Sequence, residues 1–148
     1  EFFKTLKKDI FAVDNMIFFQ NNLWWLFTNI SRGHEDRFSN LDIFYADNPL
    51  SEIWKPHSQN PIFTDINKSR NAGIILKKNN IFRANQIPSF YEYGYEININ
   101  KIINLTPEIY KEKSIKSIKP EFKKNIIGTH HINSVDEVVA LDYCENNF

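Results

Sequence analysis

Residues 23–65 decide the fold, and they read LWWLFTNISRGHEDRFSNLDIFYADNPLSEIWKPHSQNPIFTD. Segments 23–28 and 41–46 are rich in the aromatic and β-branched residues that favour strands, and the polar segment 31–40 joins them as a loop. The exit from the second strand carries two Asn-Pro pairs, which favour turns. Antiparallel strands followed by an irregular crossover are typical of one blade of a β-propeller, so this order predicts an all-β chain.

The rest of the chain repeats the strand–turn–strand pattern. Three further hairpins are predicted, across residues 16–28, 73–85 and 130–142, each with polar residues between two apolar segments. Asp14-Asn15 is predicted to be a turn ahead of the first of them. Blade-like units of antiparallel strands therefore recur at roughly 50–60 residues, the scale of propeller blades that carry long crossovers.

Composition limits the classes of function. The 148 residues include 18 basic and 18 acidic side chains, so the formal net charge is zero and no overall field favours nucleic acid. Cys144 is the only cysteine, which excludes an internal disulfide or a C-x-x-C metal pair and fits a reducing compartment such as the cytoplasm. No apolar segment approaches the ~20 residues of a membrane helix. No cofactor is expected, since no phosphate-cradling glycine loop is present.

Short motifs spread in order along nearly the whole chain carry a family resemblance. They read WWLFTN at 24–29, FYADNPL at 44–50, RNAG at 70–73, RANQ at 83–86, YGY at 93–95, IINLTPEIY at 102–110 and GTHHIN at 128–133. Together they resemble the N-terminal β-propeller domain of glucosamine inositolphosphorylceramide transferases and of bacterial homologues joined to formyltransferase-like regions. That domain is itself similar to the five-bladed propellers of arabinanase-, invertase- and levansucrase-like glycosidases.

The resemblance implies an architecture and a set of partners. A five-bladed propeller needs roughly twice this length, and the motifs match the later part of the domain. Residues 1–148 are therefore expected to be the C-terminal portion of a single propeller domain, with about two to three blades. The implied partners are the upstream blades, a transferase domain of the same protein, and a sugar or glycolipid headgroup. In a eukaryotic transferase the location would be lumenal rather than cytoplasmic.

Five polar residues near predicted strand ends form the expected substrate-binding set: Asp65, Arg70, Gln86, Tyr93 and His57. Asp65 is followed by Arg70, whose guanidinium is suited to hold a carboxylate ionised and to bind sugar hydroxyls; the alternative is a structural Asp–Arg pair. Gln86 lies on a strand and offers an amide to the propeller axis. Tyr93 offers a ring for stacking on a sugar, or fills the sheet core.

His57 stands in the Pro-flanked loop at 56–58, where it either hydrogen-bonds a sugar or acts as a turn residue. Glycosidases use two carboxylates across the scissile bond. Asp65 is the one candidate for such a carboxylate, because Asp47 fits a turn cap and Glu96 a solvated strand face. The catalytic residue therefore stays unassigned.

The adjacent pair His130-His131 invites a metal interpretation, which we reject. Neighbouring residues on a strand point to opposite faces, so at most one imidazole is expected to enter a pocket. No third ligand has the spacing of a metal site, and none is predicted.

Three classes of function fit these observations. The first is a carbohydrate- or glycolipid-recognising propeller module associated with a glycan-modifying transferase. The second is a glycoside hydrolase or transglycosidase with axial carboxylates, and the third is a non-catalytic structural scaffold. Whether the chain is itself an enzyme stays open.

Overall fold

The computed structural model describes residues 5–33, 36, 39–78, 80–89, 94–135 and 137–146. The described residues form strands β1 (Phe11–Gln20), β2 (Leu23–Ser31), β3 (Asn40–Ala46), β4 (Lys55–Pro56), β5 (Asn71–Lys77), β6 (Asn80–Ile87), β7 (Glu96–Leu105), β8 (Tyr110–Ile118), β9 (Ile126–Gly128), β10 (Ile132–Val135), β11 (Val138–Leu141) and β12 (Cys144–Glu145), with one helix, α1 (Ile66–Ser69). The prediction of an all-β chain is confirmed. No helix in the described ranges has the length and apolar character needed to cross a membrane.

The first sheet is an antiparallel meander of strands β1 to β4 in chain order. Its β1–β2 hairpin, predicted for residues 16–28, turns on Asn21 and Asn22, whose φ angles are 52 and 60. Two consecutive residues with positive φ match the right-handed twist of the flanking strands, and Asn tolerates that conformation. The predicted hairpin is therefore confirmed, with a two-residue turn.

The predicted turn at Asp14-Asn15 is wrong. Strand β1 continues through both residues, and its pairing with β2 shifts register between Val13 and Met16. Because β2 pairs with β1 on both sides of this point, the extra residue is absorbed as a β-bulge rather than as a chain reversal.

The second sheet has six strands in the order β11-β10-β5-β6-β7-β8. Strands β5 to β8 form a second antiparallel meander, and the β10–β11 hairpin joins it through a parallel contact of Ser134 with Ile75. The predicted hairpins at 73–85 and 130–142 are confirmed by these pairings. Strands β9 and β12 form a separate two-stranded sheet.

The two large sheets pack face to face over one apolar core. It contains alternate residues of β1, β2 and β3 on one side and residues of β6, β7 and β8 on the other: Met16, Phe18, Trp25, Phe27, Leu41, Ile43, Ile81, Ile102, Leu105 and Tyr110. The rings of Phe27 and Tyr110 meet edge to face across the interface, 5.6 Å between centroids. This packing fixes β1 beside β5, where both strands begin to line a common cavity.

Candidate ligand-binding cavity

A cavity of about 420 Å³ opens where β1, β5 and the β10–β11 hairpin meet. Its lining combines polar side chains with a few apolar ones: Asp14, Asn15, Met16, Asn71, Gly73, Gln86, His130, His131, Ala140, Leu141 and Asp142. A concave site of this size, with convergent polar groups on an apolar background, is typical of small-molecule binding.

Asp14 occupies the bulge of β1 with a φ of 54. Positive φ is uncommon outside glycine, although Asp adopts it more readily than most residues. Bulges re-aim side chains and are frequent beside active sites. Here the bulge interrupts the alternation of the strand, and the Asp14 carboxylate, 23% exposed, lines the cavity.

Two of the predicted site residues meet on this carboxylate. Arg70 Nε donates to Asp14 Oδ2 at 2.6 Å, and Gln86 Nε2 approaches the same oxygen at 3.4 Å. The Asp14 backbone carbonyl accepts a hydrogen bond from Asn71 Nδ2 at 3.0 Å. The carboxylate is therefore held by one cation and one amide, while its bulge is held by a second amide.

Neighbouring amides fix Asn71 and Gln86 in turn. Gln86 Nε2 donates to the Asn71 carbonyl at 2.9 Å, and the Asn71 N–H donates to Asn29 Oδ1 at 2.8 Å. Asn29 is fully buried on β2, so this contact ties the first sheet to the second directly behind the cavity.

A buried ion pair supports this wall from behind. Arg83 is fully buried; its Nε and Nη2 each lie 2.8 Å from a Glu112 oxygen, and its Nη1 donates to Asn71 Oδ1 at 3.1 Å. Burial acts to lower the pKa of Arg83, but the charge and hydrogen bonds of Glu112 raise it above its ordinary value. Burial also raises the pKa of Tyr110, whose hydroxyl donates to Glu112. Arg83 thus keeps its charge beside a neutral phenol.

Asp142 braces the opposite wall. Its Oδ1 accepts from the N–H groups of His130 and His131 at 2.9 and 2.8 Å, and its Oδ2 lies 2.9 Å from His130 Nδ1. Both residues are among those that line the cavity. The expectation that they lie on a strand is wrong, because both precede β10. That at most one imidazole enters a pocket stays a prediction.

The described ranges contain no group of three His, Cys, Asp or Glu side chains arranged to hold a metal ion.

Asp65 lies on a different feature. It is the N-cap of α1: its Oδ1 accepts from the Asn67 N–H at 2.9 Å, and its Oδ2 lies 3.6 Å from Lys68 Nζ. The expected Asp65–Arg70 pairing is not formed, because Arg70 reaches Asp14 instead. Any role of Asp65 in binding stays a prediction.

His57 is buried and lies away from the cavity lining. Its N–H donates to the Ile43 carbonyl at 2.9 Å, and its Nδ1 accepts from the Gln59 N–H at 3.0 Å, which are contacts of a turn residue. Burial lowers its pKa. Tyr93 lies outside the described residues, so its expected role is untested.

Sequence reasoning missed Asp14, Asn71 and Asp142. The signal for Asp14 was present, because apolar residues continue on both sides of the Asp14-Asn15 pair at strand spacing. Some bulges and some tight turns place a residue at positive φ, and Asp and Asn tolerate that conformation in both. Asn71 follows Arg70 in the RNAG motif at 70–73. The position of Asp142 depends on tertiary pairing that no local sequence pattern encodes.

Comparison with known proteins bears on this geometry. Residues 4–138 match the family described as "Glucosamine inositolphosphorylceramide transferase 1, N-terminal". The chain belongs to this family. The match covers β1 to β10 and the first residue of β11, so it contains the cavity lining except Ala140, Leu141 and Asp142.

Two rice relatives are similar to the chain. Both are described as glucosamine inositolphosphorylceramide transferase 1, one from Oryza sativa subsp. japonica and one from Oryza sativa subsp. indica. Each is 31% identical over 131 residues, covering 82% of this chain and 17% of the relative. The chain therefore spans about a sixth of the length of these relatives. No solved structure matches it.

Proposed function

We propose that the chain is a carbohydrate-recognising module and that its cavity binds sugar hydroxyls for a glycan-modifying transferase. The observation that carries the proposal is the fixed Asp14 carboxylate, with Gln86 and Asn71 beside it on one cavity wall. Membership in a family described by a transferase supports the association with glycan modification.

The chemistry of the wall suits a polyol. Both described hydrogen bonds to the Asp14 carboxylate end on Oδ2, which leaves the acceptor capacity of Oδ1 for a ligand hydroxyl. Carboxylate and amide groups in a fixed arrangement match the alternating donors and acceptors of adjacent sugar hydroxyls. Ala140 and Leu141 supply the apolar surface against which sugar C–H groups pack.

The propeller arrangement belongs to the same proposal. The two meanders act as consecutive blades, and the β10–β11 hairpin acts as the start of a third. In support, β1 contacts β5, β5 pairs in parallel with β10, and each unit contributes lining residues from its first strand or from just ahead of it. Innermost strands that gather around one axial pocket are typical of propellers.

A second candidate function, glycoside hydrolysis, is favoured by one observation: Asp14 and Asp142 line the same cavity. We expect no glycosidase turnover from this chain, because both carboxylates are already engaged, Asp14 by Arg70 and Asp142 by two backbone N–H groups and His130. If the chain hydrolysed aryl-glycosides and Asp14→Asn abolished that activity, the chain would be a glycosidase rather than a binding module.

Titration with sugars tests the binding proposal. Glucosamine, N-acetylglucosamine, glucose and myo-inositol would be titrated by NMR or calorimetry, with dissociation constants expected at about the millimolar level for a small exposed ligand. Asp14→Asn should weaken binding about tenfold, a loss of roughly 1.4 kcal/mol that is typical of a hydrogen bond to a charged group.

Two further variants complete the test. His131→Ala removes an exposed side chain that lines the cavity, so it should weaken binding without threatening the fold. Asp47→Asn is the matched control, because Asp47 is an exposed carboxylate outside the cavity lining. The proposal fails if no sugar binds, or if Asp47→Asn weakens binding as much as Asp14→Asn does.

A further inference from the structure

Charge is segregated across the second sheet. In strands β5 to β8 the pairing register places five lysines on the face turned away from the first sheet, and they are Lys77, Lys101, Lys111, Lys113 and Lys116. The acidic residues of these strands, Glu96 and Glu112, lie on the opposite face, where Glu112 pairs with core residue Ile102. We call the five lysines the lysine face.

This segregation creates a positive surface on a chain with no net charge. Within the described ranges, none of the five lysines forms a salt bridge with an acidic side chain. Glu112, the acidic residue nearest to them in sequence, is neutralised by Arg83 on the other side of the sheet. None of the described ion pairs therefore offsets the charge of the lysine face, which suits an anionic partner.

Exposed apolar side chains border the lysine face. Ile115 sits at the register shift of edge strand β8 and is 54% exposed, and Phe122 is 47% exposed. Phe122 shares a shallow depression of about 610 Å³ with Lys116, Lys119 and one acidic residue, Glu121, so cations outnumber anions there by two to one. Lysines on an edge strand also protect it against strand addition. Protection of the edge strand needs only the lysines and does not explain the exposed apolar side chains beside them. Binding at a membrane interface uses both kinds of side chain.

We propose that the lysine face binds the surface of a membrane that contains anionic lipids. The ammonium groups contact lipid phosphates, and Ile115 and Phe122 enter the boundary between headgroups and acyl chains. Each lysine near such a surface contributes a favourable electrostatic interaction that falls off within a Debye length. This site is separate from the cavity and does not depend on sugar binding there.

Vesicle sedimentation tests the proposal. The chain would be mixed with phosphatidylcholine vesicles with or without roughly 30% phosphatidylserine, and binding is expected only with the anionic lipid. The double variant Lys113→Gln/Lys116→Gln should bind about thirtyfold more weakly, on the basis of the typical contribution of one lysine. Phe122→Ser should keep the electrostatic attraction at low salt but lose binding as salt is raised.

The matched control is Lys8→Gln/Lys55→Gln, which removes the same charge from exposed positions outside the lysine face. It should bind like the unmodified chain. Equal loss in both double variants would overturn the proposal, because binding would then follow net charge. Preferential binding to a soluble polyanion such as heparin would also overturn it. The proposal would also be overturned if Lys113→Gln/Lys116→Gln bound vesicles as well as the unmodified chain but aggregated. These lysines would then serve to protect the edge strand.

Discussion

The two large sheets use different chemistry at their centres. In the first sheet the largest buried side chains are apolar: Trp25, Phe27, Leu41 and Ile43 are all fully buried. In the second sheet the matching positions include Arg83, Asn85 and Asn100, which are 0%, 1% and 4% exposed. The first sheet therefore depends more on apolar packing, and the second adds a larger group of paired polar side chains.

The polar pairing in the second sheet is continuous. Asn100 Nδ2 donates to Asn85 Oδ1 at 2.7 Å, Asn98 Nδ2 donates to Asn100 Oδ1 at 2.9 Å, and Ser114 Oγ donates to Asn98 Oδ1 at 2.8 Å. Buried polar networks stabilise a structure when every member is satisfied and destabilise it when one partner is lost. The second sheet therefore gains specificity for one side-chain arrangement, and that arrangement positions the cavity wall.

The largest effect is expected at the buried ion pair. Arg83→Met leaves the Glu112 carboxylate buried without its cation, so the free energy of unfolding should fall by about 3–5 kcal/mol. Arg83→Met/Glu112→Leu removes both charges and should recover about half of that loss. Urea denaturation measures both variants. A double variant no more stable than Arg83→Met would mean that shape, not charge pairing, governs this site.

A smaller effect is expected where the sheet meets the β10–β11 hairpin. Gly73 has a φ of 124, and a Cβ there would lie 1.8 Å from the Ile132 carbonyl oxygen. Gly73→Ala should therefore destabilise the chain by about 1–3 kcal/mol, as overpacking does, and should displace the His130–His131 wall of the cavity. Thermal denaturation and sugar titration report the two consequences.

Gly33→Ala is the control for this substitution, since a Cβ at Gly33 meets nothing within 4 Å. It should change stability by less than about 0.5 kcal/mol. Equal destabilisation at both glycines would show that the close approach to Ile132 does not set the value.

The two sheets should also contribute differently to the pH dependence of the free energy of unfolding. Burial lowers the pKa of His57 below the ordinary value of 6.5. The unfolded chain therefore binds a proton at a higher pH than the folded chain, so stability is full above about pH 6.5 and declines as the pH falls through and below it. In the second sheet the raised pKa of Arg83 keeps that guanidinium charged throughout this window.

Denaturation between pH 7 and 5 checks this difference, with pH limits set around the ordinary value of 6.5 for histidine. His57→Gln should flatten the decline in stability, whereas His131→Gln, at an exposed position, should keep it. An unchanged decline in His57→Gln would assign the titration to another group.

Prediction from sequence succeeded where the signal was local. The hairpins around Asn21-Asn22 and at residues 130–142 were predicted from short polar interruptions in apolar segments, and both formed. The site was harder, because its residues come from different units. The sequence predicts Arg70 and Gln86 as site residues, but it places their common partner Asp14 in a turn. Asx residues at positive φ serve bulges and turns alike, and only cross-strand pairing separates the two.

The smallest effect tests the sequence candidate that the structure places elsewhere. Asp65→Ala removes the N-cap of α1, whose Oδ1 accepts from the Asn67 N–H at 2.9 Å. Loss of such a cap typically lowers the free energy of unfolding by about 1 kcal/mol. Loss of the cap should destabilise the second sheet only slightly. The Lys68 and Ser69 carbonyls at the end of α1 accept hydrogen bonds from Arg83, which the ion pair with Glu112 holds in place. Sugar affinity should stay unchanged, since Asp65 is outside the cavity lining. If Asp65→Ala abolished sugar binding while the chain stayed folded, the binding site would lie at α1 and not at Asp14.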